Sequence, residues 1–191
     1  STIRPLTYEY RHSGSMNIDY RTPRTESMLT GDWGANILFR FNSGHRFTRS
    51  TGPAGQRRPS EGALLSDVDP RSRQPMEPIN ASSTPWFFNT DLRIDKGFTV
   101  SQFRTVLYLS VTNLFNRKHV NNVYLRTGNA ETDGFLENPD LSQDIVRNQG
   151  EQFVDMYRAI NLANRQHYIN EEGIDIFGTP RQVRLGLRVE F

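Results

Sequence analysis

Apolar and polar residues alternate one by one in several stretches of this chain, the two-residue period of a half-exposed β-strand. The last stretch is the cleanest. From Gln182 to Phe191, Val183, Leu185, Leu187, Val189 and Phe191 share one face, while Gln182, Arg184, Gly186, Arg188 and Glu190 share the other. The charged face needs water or polar partners, and the unbroken apolar face needs lipid or a core. Gln102 to Asn113 repeats the pattern, with Phe103, Thr105, Leu107, Leu109 and Val111 against Arg104, Val106, Tyr108, Ser110 and Thr112. Trp86 to Asp95 sets Phe88, Thr90, Leu92 and Ile94 against Asn89, Asp91, Arg93 and Asp95. Lys96-Gly97-Phe98 is the expected tight hairpin between these two strands. Trp33 to Asn42 forms a further strand, with Ala35, Ile37, Phe39 and Phe41 on one face. A short one carries Met16, Ile18 and Tyr20. Leu6 to Tyr10 reads either as an extension of that short strand or as another strand.

The strands are close to the ~9–11 residues with which a tilted strand crosses a bilayer. Their connections are unequal. Lys96 to Val100 is short and Thr22 to Asp32 moderate, whereas Ser43–Pro85 and Gly128–Pro180 are long, and strand counting puts both long loops at one end. Short turns at one end and long loops at the other are the habit of transmembrane barrels. The first long loop is rich in Gly, Pro, Ser and Arg and is expected to be irregular. The second holds the single convincing helix, Gly150 to about Gln166, in which Phe153, Met156, Tyr157 and Ile160 follow helical spacing.

Composition sharpens this picture. Hydrophobic residues are 35% of the 191, yet aromatics reach 11%, with 12 Phe and 7 Tyr. Mean hydropathy is −0.66. A soluble domain of this length usually holds a larger apolar share, and disordered chains are poor in rings. A barrel wall with polar lumen and loops accounts for both features. Trp33, Phe41, Phe47, Trp86, Phe87, Phe98, Phe103 and Phe115 stand near strand ends, as interfacial girdle rings would; ordinary core packing in a soluble sheet is the alternative. No apolar run approaches the ~20 residues of a membrane helix.

Candidate chemistry is sparse. The formal net charge is +2, with 23 basic and 21 acidic residues mixed along the chain, so nucleic acid is a weak candidate partner. Without cysteine, disulfides, thiol catalysis and thiolate metal sites are excluded. His12, His45, His119 and His167 are scattered. Asp133, Glu137, Asp140 and Asp144 lack the spacing of a calcium loop and read as a solvated acidic loop. No phosphate loop, nucleophile motif or catalytic carboxylate pair stands out, so neither an enzyme nor a cofactor is expected.

Two local motifs carry a resemblance. Leu107 to Lys118, with Asn113-Leu114-Phe115-Asn116-Arg117 inside it, resembles a late-barrel strand of TonB-dependent outer-membrane receptors. Gly178-Thr179-Pro180-Arg181 followed by Val183 to Phe191 resembles their final strand, and Trp33-Gly34 with Asn42-Ser43-Gly44 is similar to an earlier strand and loop entry. The resemblance implies an all-β fold: about five or six antiparallel strands of a larger transmembrane β-barrel, residues 1–191 forming its carboxy-terminal region. It implies outer-membrane lipid, the remaining strands, a plug and the TonB energising protein as partners, a Gram-negative outer membrane as location, and energised import of a nutrient. Val183, Leu185, Leu187, Val189, Leu107, Leu109 and Val111 would then face lipid. Arg184, Arg188, Glu190, Arg93 and Asp91 would face the lumen, and Phe191 would belong to the signal read by the barrel-assembly machinery. Two alternatives remain open: an anchoring barrel without transport, and a soluble β-sandwich binding module. The strand count expects a carboxy-terminal piece or one member of a split barrel, since even small barrels need ~8 strands.

Overall fold

A computed structural model describes residues 4–7, 9–24, 30–52, 65, 69–100 and 102–190, with the side chains of Val100 and Glu190 excepted. Phe191 lies outside the described residues. The chain divides into two compact units.

One unit comprises Arg11–Asn42, Trp86–His119 and Thr179–Phe191. It is a five-stranded antiparallel sheet of β1 (Ser13–Arg21), β2 (Trp33–Asn42), β7 (Phe87–Val100), β8 (Phe103–Thr112) and β9 (Gln182–Glu190), paired in that order. The strands expected from alternation are therefore present. The sheet is open, and β1 and β9 are its edges. Paired residues in antiparallel strands project from the same face. The register sets Ile18 beside Ile37, Ile37 beside Leu92, Leu92 beside Val111 and Val111 beside Val183. The apolar halves of all five strands thus form one continuous face.

The expected hairpin at Lys96-Gly97-Phe98 is wrong. Those residues continue β7, opposite Leu107, Val106 and Thr105, and the reversal falls between Val100 and Phe103. Gly97 serves a close approach instead: its N–H donates to the Asp32 carbonyl at 2.9 Å, and a Cβ there would collide with the Asp32 carboxylate. Glycine inside a strand often marks such an approach. The same carboxylate receives Arg104 Nη2 at 3.2 Å. Ser13↔Asn42, Asn42↔Phe87 and Thr112↔Gln182 mark one end of the sheet, from which both long connections depart, as expected.

The other unit gathers Ser1–Tyr10, Ser43–Pro85 and Val120–Gly178. Leu6 to Tyr10 adds no strand among its described residues. It turns, with Glu9 N–H donating to the Leu6 carbonyl, and the Thr7 carbonyl accepts from Arg46 N–H. Two short ladders follow, β3 (Arg46–Phe47) with β6 (Ser82–Ser83) and β4 (Ser50–Thr51) with β5 (Gln74–Pro75).

The single expected helix is several. α1 (Pro139–Gln149) precedes α2 (Glu151–Tyr157), which runs into a π-helical segment Arg158–Ala163 before α3 (Gln166–Glu172). Asn138 caps α1, its side chain accepting from Asp140 N–H. Gly150 separates α1 from α2 at φ 74° and ψ −169°, a positive-φ extended conformation open essentially to glycine alone. Two apolar clusters give this unit its own core. One joins Phe47, Tyr124, Tyr168, Ile176 and Phe177, and the other Phe135, Leu141 and Tyr157.

Candidate functional site

Among the described residues of its unit, no layer covers the apolar face of the sheet. Val183, Leu185, Leu187 and Val189 are 62%, 71%, 59% and 45% exposed. Leu107, Met16, Ile18, Tyr20 and Ile37 are exposed beside them, and Leu109 is half-buried. Val111 belongs to the same face by register and is 8% exposed. Its place in an inner strand, between Leu92 and Val183, already shields it.

Rings mark both ends of this face. At the long-connection end Trp86 stacks on Phe88 at 5.8 Å and on His12 at 5.9 Å, and Phe39 packs near Phe41. At the other end the Lys96 ammonium lies 5.2 Å from the Trp33 ring, with Phe98 and Phe103 on the same face by register. Two expected girdle residues are elsewhere. Phe47 is buried in the core of the other unit, and Phe87 projects from the polar face, 4.5 Å from the buried His119 ring. Phe87 is odd in the alternation of Phe88, Thr90 and Leu92, a parity that distinguishes it from its neighbour.

The opposite face is a lattice of charges and amides. Arg40 Nη2 meets Asp91 Oδ2 at 2.7 Å, and Arg21 bridges Asp19 at 3.1 Å and Asp95 at 3.4 Å. Arg93 approaches Asp95 at 3.9 Å and covers the Tyr108 ring at 5.0 Å. Asn36 donates to Asn17 at 2.8 Å. Arg184 donates to Gln182 at 3.2 Å, and Arg188 stands opposite Val106. Asp91, Arg93, Arg184 and Arg188 are thus together on one face, apart from the aliphatic residues of the other. Glu190 is described by its backbone alone, opposite Arg104. His119 Nε2 is 3.3 Å from Asn89 Oδ1. Burial holds its pKa below the usual histidine value, Arg117 adds to the effect and Asp91 opposes it.

The two sequence motifs that carry the family resemblance meet here. Asn113 and Asn116 both have positive φ, 54° and 50°, which asparagine tolerates better than most residues. Asn113 Nδ2 donates to the Arg117 carbonyl at 2.9 Å and to the Thr179 carbonyl at 3.4 Å, and its Oδ1 accepts from Arg117 N–H at 2.9 Å. Asn116 Oδ1 accepts from Arg181 N–H at 2.9 Å. The motif after β8 therefore clamps the segment that enters β9.

In the other unit the expected solvated acidic loop needs correction at Asp133. That side chain is 0% exposed, accepts from Tyr157 Oη at 2.5 Å and from Phe135 N–H at 3.0 Å, and is pushed upward in pKa by burial. Glu137 accepts from Thr132, and Asp140 and Asp144 are exposed on α1. Among the described residues no three His, Asp or Glu side chains gather as a metal site, and no helix is long and apolar enough to cross a membrane. Sequence reasoning missed Arg165 and Asp175, whose forked pair at 2.6 and 2.9 Å lies beside Phe177; ten residues of separation and a left-handed Arg165 leave no periodic signal. Comparison with protein-family models, with curated proteins and with solved structures yields no match.

Proposed function

We propose that the chain forms part of the wall of an outer-membrane β-barrel of the TonB-dependent receptor type, and that its two long insertions are extracellular and carry ligand capture. The carrying observation is the continuous five-strand apolar face, exposed over more than ten large side chains and backed by a face of ion pairs. Soluble monomers rarely expose contiguous apolar patches beyond a few hundred Å², and lipid removes that penalty. The spacing supports the reading too. From Phe88 to Phe98 the strand rises roughly 33 Å at ~3.3 Å per residue, and a tilt of ~40° reduces this to about 25 Å, the height of a barrel's apolar band. The edges of β1 and β9 cannot face lipid unpaired, so further strands complete the barrel. The receptor family itself rests on the Asn113–Arg117 and Gly178–Arg181 motifs; energised nutrient uptake, a plug and the TonB protein follow from it.

On this reading Leu107, Leu109, Leu185, Leu187 and their neighbours face lipid, and Asp91, Arg93, Arg184 and Arg188 face the lumen. The cysteine-free chain suits a direct test. Single cysteines at positions 184, 185, 187 and 188 are spin-labelled in the protein reconstituted in bilayers, and collision with oxygen is compared with collision with a water-soluble nickel complex. Oxygen access at 185 and 187, out of phase with nickel access at 184 and 188, is the expected result. Nickel access in phase at all four, or a chain that is folded and monomeric without detergent, rejects the wall and favours a soluble sandwich. Loss of energised uptake on deleting the protein separates a transporter from an anchoring barrel.

A further inference from the structure

The aromatic cluster at the long-connection end of the apolar face contains a shallow pocket of about 260 Å³ lined by Phe39, Phe88, Thr90, Phe115 and Arg117. Its chemistry is mixed in a specific way. Three rings and a threonine make the floor, and one cation closes the rim, with the Arg117 guanidinium 5.6 Å from the Phe88 ring. Phe115 is 68% exposed. Among the described residues Arg117 has no carboxylate within ion-pair reach, in contrast to Arg21, Arg40 and Arg104. Arg181 is exposed and is held in the adjoining segment by the bond from its N–H to Asn116. The pocket is smaller than the ~300–1,000 Å³ of ordinary ligand sites, which suits one hydrocarbon chain better than a whole metabolite.

We infer that this pocket binds a membrane lipid that carries a phosphate group beside its acyl chains, one chain lying on Phe39, Phe88 and Phe115 and the phosphate on Arg117. Charge complementarity selects this occupant. A guanidinium offers a planar fork that matches a phosphate, and an apolar floor directly below it matches a chain attached to that phosphate. A second protein chain would bring no reason for an unbalanced cation at the rim of an apolar face. The inference rests on the wall reading, in which the long-connection end lies at the outer leaflet. It adds that the lipid there is bound at a site rather than being bulk solvent.

Native mass spectrometry of the full protein, extracted in detergent and delipidated, tests this. The titrants are dioleoyl-phosphatidic acid, dioleoyl-glycerol with the same chains and no phosphate, and inorganic phosphate. The wild type should retain phosphatidic acid roughly tenfold more strongly than the glycerol lipid, the size of one charge-assisted contact. Arg117→Gln should erase that preference and Arg117→Lys should keep part of it. Phe115→Ala should weaken both lipids alike. Arg117 is exposed and its backbone makes the Asn113 contacts, so its side-chain substitutions leave the clamp in place. An undiminished preference in Arg117→Gln overturns the site. Displacement by equimolar inorganic phosphate overturns the lipid assignment in favour of a free-anion site. Solubility without detergent, seen before any lipid is added, overturns the wall reading instead.

Discussion

Asn113 and Arg117 hold each other through a reciprocal pair: the Asn113 amide donates to the Arg117 carbonyl and accepts the Arg117 N–H, both at 2.9 Å. Asn113 is 3% exposed and left-handed, so its side chain and its backbone conformation are both in demand. Asn113→Ala leaves buried polar groups without partners and keeps an unfavourable φ; about 3 kcal/mol of stability should be lost. Asn113→Gly removes the strain term and should cost about 2 kcal/mol. Guanidinium unfolding of the folded protein should order the three proteins wild type, glycine, alanine. Indistinguishable midpoints would show that the clamp does not stabilise the end of β8.

Asp91 concentrates a different kind of support. Its Oδ2 takes Arg40, while its Oδ1 takes Asn89 Nδ2 at 2.8 Å and Asn113 N–H at 2.9 Å. Arg40 is about half exposed and Asp91 only 23%, so the ion pair is partly screened by solvent. Asp91→Ala should cost about 2 kcal/mol, and Arg40→Ala under about 1 kcal/mol. Equal losses in the same unfolding measurement would make the arginine, rather than the amide donors, the dominant partner.

Gly186 on β9 pairs with Tyr108 on β8, and a Cβ at 186 would overlap the phenol ring. The hydroxyl end of the ring occupies the space beside the glycine, and the Arg93 guanidinium lies over the ring at 5.0 Å. Gly186→Ala should therefore destabilise by about 1–3 kcal/mol, the usual cost of overpacking. In a Tyr108→Ala background the same substitution should cost almost nothing. A double-mutant cycle reads this coupling, and an unchanged cost in both backgrounds would place the strain elsewhere.

Much of the sheet was legible because lone alternation determines a strand's faces, and the register then matched apolar to apolar across all five strands. Gly97 was misread because glycine marks both turns and close approaches, and only the position of Asp32, distant in sequence, decides between them. Phe47 and Phe87 misled for a related reason: a ring near a strand end looks alike whether it faces outward, packs at a tilt against His119 or joins the loop core. The aromatic pocket was partly legible, since Phe39 and Phe88 appear in the alternation, but Arg117 reaches them only because Asn113 and Asn116 turn the chain back. The extra helices were hidden by polarity, α1 burying only Leu141 and Ser142. Asp133 was hidden most deeply, since nothing local distinguishes a buried carboxylate from the exposed ones near it.

That burial has a signed consequence for pH. Asp133 is held above the ordinary carboxyl value of 3.8 by loss of hydration, against which the Tyr157 hydroxyl and Phe135 N–H pull downward. A raised folded pKa means that the folded form holds its proton longer than the unfolded chain. The associated stability is complete below about 3.8 and is lost as pH rises through the raised folded value. Asp175 has the opposite sign: Arg165 hydrogen bonds lower its pKa, so its contribution is present above the ordinary value and disappears as pH falls through the lowered one. Hydrogen-exchange protection of the peptides covering α1 and α2, corrected for intrinsic exchange, should decline in the wild type as pH rises above about 4. Asp133→Asn, uncharged throughout, should flatten that decline while keeping an acceptor for Phe135 N–H. Tyr157→Phe removes the donor that favours the carboxylate, which raises the Asp133 pKa further and deepens the loss. Asp175→Asn should leave the decline intact and abolish only the acid-side loss. Equal slopes for wild type and Asp133→Asn would mean that the carboxylate is hydrated in solution and that its burial does not govern the stability of this unit.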